Sequence, residues 1–415
     1  MKCLLPIEKN PPIKMLPGYA QPLSIIYARI KNPDVFLINN FTQLFVDDYA
    51  GVNTLEFKNF STRHVVGFYL DEYAFTDIFN IESISVEKYN SEIVLNMIKQ
   101  KIDDDKYVFS ILNEFYIPKS YFYKKLNMFH SELLYGYDDD LKELYGFVYD
   151  KNPKYTAITI RYEDFKEAYN NTDETVKYLT IYSLKENINF KYNFKLNKKL
   201  LFNYINSQSN NMNSYKSHSM FGISIYDFIL DELNKYPKQR IDPRNFAALY
   251  EHKTIMLKRI KEYFNLPELA KEYEQVVMLA IGARTRAYQC FINKYDENIR
   301  QEIINSIKKM RKMEHNILLR VYDSISNIRE NSNEAFDERQ VNSNRPYTLT
   351  STVKDFANDK EVWEILNEYL PNVSDVSQLS LVYGMKIEKV ILLIKKYFKL
   401  SDNEINEILV RIFSL

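Results

Sequence analysis

The stretch Phe129–Asp150, FHSELLYGYDDDLKELYGFVYD, decides the fold. His130 opens an apolar run that ends in Asp138, Asp139 and Asp140, a composition that favours a tight turn. A second run of aromatic and β-branched residues follows and closes on Asp150. This pattern predicts a β-hairpin with His130 on one strand and Asp150 at the end of the other. Adjacent antiparallel strands can set an imidazole against a carboxylate, which fixes the tautomer and stabilises the imidazolium formed during proton transfer. The same spacing fits a satisfied polar pair at a sheet edge.

Outward from the hairpin, the first half of the chain reads as mixed α and β. Short runs rich in β-branched and aromatic residues predict strands at Val35–Ile38, Val65–Leu70, Lys106–Asn113, Leu141–Tyr149, Tyr155–Arg161 and Tyr178–Tyr182. Helical spacing predicts a helix at Ser91–Lys101. It also predicts a buried one from about residue 20, in which Leu23, Ile26, Tyr27 and Ile30 share a face and Pro22 sits in the first turn. From about Asn197 strand patterns vanish and three- and four-residue periodicity takes over. Helices are expected at Tyr226–Lys235, Asp242–Phe264, Pro267–Asn293, Glu297–Asn327, Val353–Tyr369, Val376–Tyr383, Ile387–Phe398 and Asp402–Phe413. The polar stretches Ser207–Ser219 and Asn331–Thr350 read as loops. The expected class is therefore α+β, with a mixed domain over residues 1–200 and a helical domain over 201–415, a division that suits 415 residues.

Composition narrows the function. Hydrophobic residues at 46% and charged residues at 27% place the chain among globular proteins. Lys and Arg, 55 in all, balance 55 Asp and Glu, so no net field favours nucleic acid or a membrane surface. No run approaches 18 apolar residues and the opening MKCLLPIEKNPP is too short for a signal-peptide core, so a cytoplasmic protein is expected. Cys3 and Cys290 alone exclude a disulfide framework and any CxxC site. The 34 Tyr and 26 Phe follow from AT-rich coding as readily as from function. The eight Gly include neither GxGxxG nor GxxxxGK[ST], which argues against nucleotide-binding folds.

The remaining histidines carry less. No HExxH and no pair of histidines at metal-ligand spacing occurs, so no metal or other cofactor is expected. His64, His218 and His315 read as surface or packing residues. His252 beside Lys253, with Arg284 and Arg286 in IGARTRAYQ, fits either a solvated helix face or a docking surface for an acidic partner.

Two stretches resemble a known family. HSELLYGYDDD followed by YEDFKEAYNN (Tyr162–Asn171) resembles the papain-like, peptidase-C39-related acyltransferases and amide synthases of bacterial natural-product biosynthesis, a group that includes the butirosin acyltransferase and the closthioamide amide synthase. FGISIYDFILDEL and IDPRNFAALYEHKTIMLKRIKEYF are similar to the helical region that follows the peptidase-like half in that group, and the likeness spans roughly residues 10–265. It implies a papain-like N-terminal domain whose cleft is covered by a helical C-terminal domain. It also implies a Cys-His-Asp triad that takes an acyl group from a carrier-protein thioester and passes it to an amine. His130 would be the general base and acid, and Asp150 its orienting partner. Phosphopantetheine would arrive on the carrier. Phe221 and Tyr226 fit either a wall bounding an aromatic acyl group or ordinary core packing, and Arg284 and Arg286, if not a solvated face, would face the carrier. A cysteine peptidase shares this machinery and differs in the acceptor.

The nucleophile should stand at the start of the first buried helix, where the helix dipole and an imidazolium lower a thiol's pKa. That segment, LPGYAQPLSIIY, holds no cysteine; the position falls on Ala20, or on Gly18 in a shifted alignment. Three readings stay open. The first, favoured because alanine is the usual inactivating replacement, is a thiol substituted to block turnover. The others are a relative that binds without turnover and a chain outside the family. Ser24, Cys3 and Cys290 are weaker nucleophile candidates, and with no Gln at the usual distance before Ala20 the oxyanion falls to a backbone N–H.

Overall fold

A computed structural model gives the chain a mixed α+β fold and describes residues 1–46, 65–70, 74–151, 154–209, 220–235, 241–292, 296–326 and 362. His64, His218, the Asn331–Thr350 loop, most of the Ser207–Ser219 stretch and, Val362 apart, the four helices expected from Val353 onward lie outside the described residues.

Strand β1 (Lys2–Leu4) precedes helix α1 (Pro17–Arg29). Pro17 starts α1, its fixed φ and missing N–H suiting the first helical position. Pro22 lies inside the helix, a turn later than expected, and α1 buries an unbroken run from Ala20 to Ile26. Helix α2 (Pro33–Asn40) takes the segment expected as the strand Val35–Ile38. Three consecutive apolar residues, Phe36, Leu37 and Ile38, read either way by pattern. Pro33 at the first position, with Asn32 before it at φ 55°, starts a helical turn instead.

The principal sheet is antiparallel. Strands β4 (Phe79–Ser85), β5 (Tyr107–Asn113), β6 (Phe129–Asp138), β7 (Glu143–Tyr149), β8 (Tyr155–Arg161) and β9 (Tyr178–Leu184) are ordered β4-β9-β5-β6-β7-β8. β6 and β7 form the hairpin foreseen at Phe129–Asp150, and the Asp138 carboxylate accepts from the N–H groups of Asp140 and Leu141 to hold its turn. One edge of β6 is shared: β5 pairs with residues 129–134, and β1 with 136–138. At Gly136 a Cβ would lie 2.8 Å from the Cys3 carbonyl oxygen, so only glycine lets β1 approach. Helices α3 (Ser91–Asp103) and α4 (Tyr162–Asn170) pack against this sheet.

A second, small sheet has the order β10-β2-β3, from β2 (Gln43–Val46), β3 (Gly67–Tyr69) and β10 (Met220–Phe221). β10 corrects the expectation that strands end near Asn197: two residues are too few to show a period. Helices α5 (Phe194–Ile205), α6 (Ile225–Lys235), α7 (Pro243–Lys258), α8 (Pro267–Ile292) and α9 (Glu297–Ser326) complete the described chain, with a π-helical turn at Arg259–Tyr263 closing α7. The expected boundary at residue 200 falls inside α5. Apolar residues of the sheet, α1 and α5–α9 belong to one continuous core.

Candidate functional site

β5 and β6 set the site. Antiparallel register places Leu112 opposite His130 and Ser110 opposite Glu132, so His130 and Glu132, two residues apart, share a sheet face. Beyond Asn113, β5 tightens into a short 3₁₀ turn; the Asn113 side chain accepts from the Phe115 N–H, and the Glu114 N–H bonds Met128 O at 2.8 Å. Glu114, fully buried, thereby reaches His130. Its Oε1 lies 2.5 Å from His130 Nδ1, and its Oε2 accepts from the Ser120 hydroxyl. The loop carrying Ser120 is laid along the end of β7 by Tyr121 N–H bonding Tyr149 O at 2.8 Å. The His130 side chain is 34% exposed, so one end of this chain of groups is open to solvent and the other is not.

Two further buried polar groups interact with this set. Glu132 is buried, and burial first, then the adjacent Glu114 carboxylate, pushes its pKa well above the usual carboxylate range. The Tyr155 hydroxyl, on β8, is buried without a hydrogen-bond partner among the described residues, although Ser24 is near enough to favour its ionised form. Burial dominates its titration and raises it, and the Glu132 charge adds to the rise.

Helix α1 lies directly against His130's strand: the Gln21 side-chain amide donates to Ser131 O at 2.6 Å. Gly18 is one turn before Gln21, on the same helical face. Leu16 offers no side-chain cap and Pro17 has no N–H. The N–H groups of Tyr19 and Ala20 bond Leu16 O, whereas that of Gly18 has no acceptor among the described residues. A Cβ built on Gly18 meets nothing within 4 Å, while Ala20 is 0% exposed. Of the two positions read from the sequence for a nucleophile, Gly18 is open and Ala20 is sealed in the core.

Other sequence-derived residues lie as follows. Asp150, expected to orient His130, accepts from Lys154 N–H at 3.1 Å and Thr156 Oγ1 at 3.3 Å; the carboxylate on His130 is Glu114. Ser24 is buried and donates to Ala20 O. Cys3 pairs opposite Tyr137, seven residues and about 23 Å along β6 from His130. Burial raises the pKa of both Cys3 and Cys290. Phe221 stacks on Phe45 in the small sheet, and the fully buried Tyr226 donates to Glu314 at 2.6 Å, so neither stands beside His130. His252 and Lys253, expected on a helix face, are both fully buried: His252 Nε2 lies 2.7 Å from Thr42 O, and Lys253 pairs with Glu314 at 2.8 Å. Arg286 pairs with Glu302 of α9, and Arg284 stacks on Tyr250 at 3.9 Å. The end of α8 does approach the site, since the Phe291 ring lies 6.2 Å from that of Tyr121.

Sequence reading missed Glu114, Ser120, Glu132 and Tyr155. The alternation His130-x-Glu132 on one strand was visible; the Glu114 contact depends on strand pairing and a 3₁₀ turn that no local pattern encodes. No protein-family model and no curated protein sequence matches the chain.

Proposed function

We propose that this protein handles acyl groups at the start of α1, with the chemistry of a papain-like, amide-forming acyltransferase: an acyl thioester on a carrier protein as donor and an amine as acceptor. The observation that carries the reading is the Glu114–His130 pair, with His130 on the strand that Gln21 of α1 bonds and the open Gly18 one helical turn before Gln21. A thiol there would attack the thioester carbonyl and expel the carrier's thiol. His130 would take the thiol proton and return it to the leaving group, and Glu114 would hold the imidazole through Nδ1. The unbonded Gly18 N–H supplies a donor for the oxyanion. The amine would then attack the acyl-enzyme and regenerate the thiol. With glycine at position 18 and buried alanine at 20, the chain binds the thioester without attacking it.

The test is a Gly18→Cys protein incubated with an aryl thioester and read by intact mass. Acylation that disappears in Gly18→Cys/His130→Ala supports the reading, and amine in the mixture should convert the adduct to amide. A folded Gly18→Cys protein that stays unmodified overturns it.

A further inference from the structure

Glu114, His130 and Glu132 each offer a ligand atom, and these atoms all lie within 4.8 Å of one another. Both carboxylates are buried, and the imidazole is about one-third exposed to solvent. Among the described residues no Lys or Arg pairs with either carboxylate, so the imidazole is their one basic neighbour. Two carboxylates in contact in a dry setting need a proton or a cation between them. A second observation points the same way: the buried Tyr155 hydroxyl makes no hydrogen bond among the described residues, Ser24 being its largest polar influence, and the Glu132 carboxylate adds to the rise in its titration. A water held on an ion would give it a hydrogen-bond partner.

We infer that Glu114, His130 and Glu132 form a binding site for a divalent transition-metal ion. Two carboxylate oxygens and one imidazole nitrogen suit Zn²⁺, Mn²⁺ or Fe²⁺; Ca²⁺ demands more oxygens, and Mg²⁺ avoids imidazole. Metal–ligand bonds of about 2.1 Å set neighbouring ligand atoms roughly 3.3 Å apart, so the 2.5 Å Glu114–His130 contact opens as the ion replaces the proton held there. Ser120, bonded to the other oxygen of Glu114, fixes the carboxylate's orientation from behind. Three protein ligands leave at least one coordination position for water. This inference does not rest on acyl handling and competes with it: an ion on His130 would remove the base that the acyl reading uses.

The experiment is metal binding to the chelator-treated full chain. Calorimetric titration with Zn²⁺ and with Mn²⁺ should give one ion per chain, with proton release that scales with buffer ionisation heat, and affinity at least tenfold weaker in Glu132→Gln and in His130→Ala. Co²⁺ loaded onto the unaltered protein should show the intense visible d–d bands of a low-coordinate site, a readout that needs no variant. Binding that both substitutions leave unchanged, or a Co²⁺ spectrum no different from that of the hydrated ion, overturns the site.

Discussion

Glu114 and His130, 16 residues apart, meet at 2.5 Å across the end of a β-strand pair, with Glu114 fully buried and His130 open to solvent. This contact, and not one to Asp150, holds the imidazole. It predicts a slowly exchanging, downfield Nδ1–H resonance in the proton NMR spectrum that vanishes in Glu114→Gln and persists in Asp150→Asn. In the Gly18→Cys background, Glu114→Gln should slow acylation by about 10²-fold or more through loss of tautomer and orientation. Asp150→Asn should change it less than threefold. The opposite order would return the orienting role to Asp150.

Gly18 and Ala20 differ in exposure, and that separates them chemically. A cysteine at 18 projects into open space at the helix start; one at 20 has its Cβ in the core, as Ala20 is 0% exposed. Thiolate formation is favoured at a helix N-terminus and opposed by burial. Iodoacetamide should therefore alkylate Gly18→Cys at least 100-fold faster than Ala20→Cys in the native protein, measured by mass, and the difference should collapse in denaturant. Equal native rates would mean that the first turn of α1 is not held as described.

The helical half contains a buried ionic network. Glu314 accepts from Tyr204, Tyr226 and Tyr273 and pairs with Lys253 at 2.8 Å, with both charged side chains fully buried. Lys253 in turn lies 3.1 Å from His252 Nδ1. Burial lowers the Lys253 pKa against the pull of Glu314, and burial lowers His252 well below its usual value. Removing one charge strands the other in the core, so Lys253→Met or Glu314→Leu alone should destabilise by about 3–5 kcal/mol. The double substitution should cost less than the sum of the two. Urea unfolding of the four proteins measures this coupling, and simple additivity would contradict the pairing.

How much of this was legible follows from range. The hairpin could be read because its turn acids and strand alternation lie within 22 contiguous residues, and β8 matches its expected bounds, Tyr155–Arg161, because β-branched residues and flanking breaks define it. α2 was misread because Phe36–Ile38 carries no period. His252 and Lys253 look like a solvated pair until α5, α6, α8 and α9 bring Tyr204, Tyr226, Tyr273 and Glu314 around them. Glu114 and Glu132 reach His130 through cross-strand pairing, and a metal search that looks for paired histidines in the sequence passes over a set with one histidine and two carboxylates. Gly18 became distinguishable from Ala20 only when helix phase fixed which side of α1 faces the core.

Glu251, on α7, clamps the segment leading into α1: its two oxygens accept from the N–H groups of Lys14 at 2.8 Å and Met15 at 3.3 Å. The Tyr149 hydroxyl donates to Lys14 O beside it, at 2.6 Å. Burial raises the Glu251 carboxyl to about 8, overcoming the two N–H bonds and the charges of Lys14 and Arg284, which act the other way. The usual carboxylate value in the unfolded chain is 4.5. The folded state therefore holds this proton more tightly than the unfolded one. The associated stability is fully present below pH 4.5 and falls as pH rises to about 8, by on the order of 5 kcal/mol across that interval. Glu251→Gln keeps an acceptor for the N–H groups and removes the titration. The difference in unfolding free energy between the two proteins should thus move in favour of Glu251→Gln as pH climbs from 4.5 to 8, and level off above that. Denaturant unfolding at pH 5, 6.5 and 8 measures it; a difference that stays flat, or that favours the glutamate at pH 8, would show that the carboxylate is ionised and paired in the folded protein.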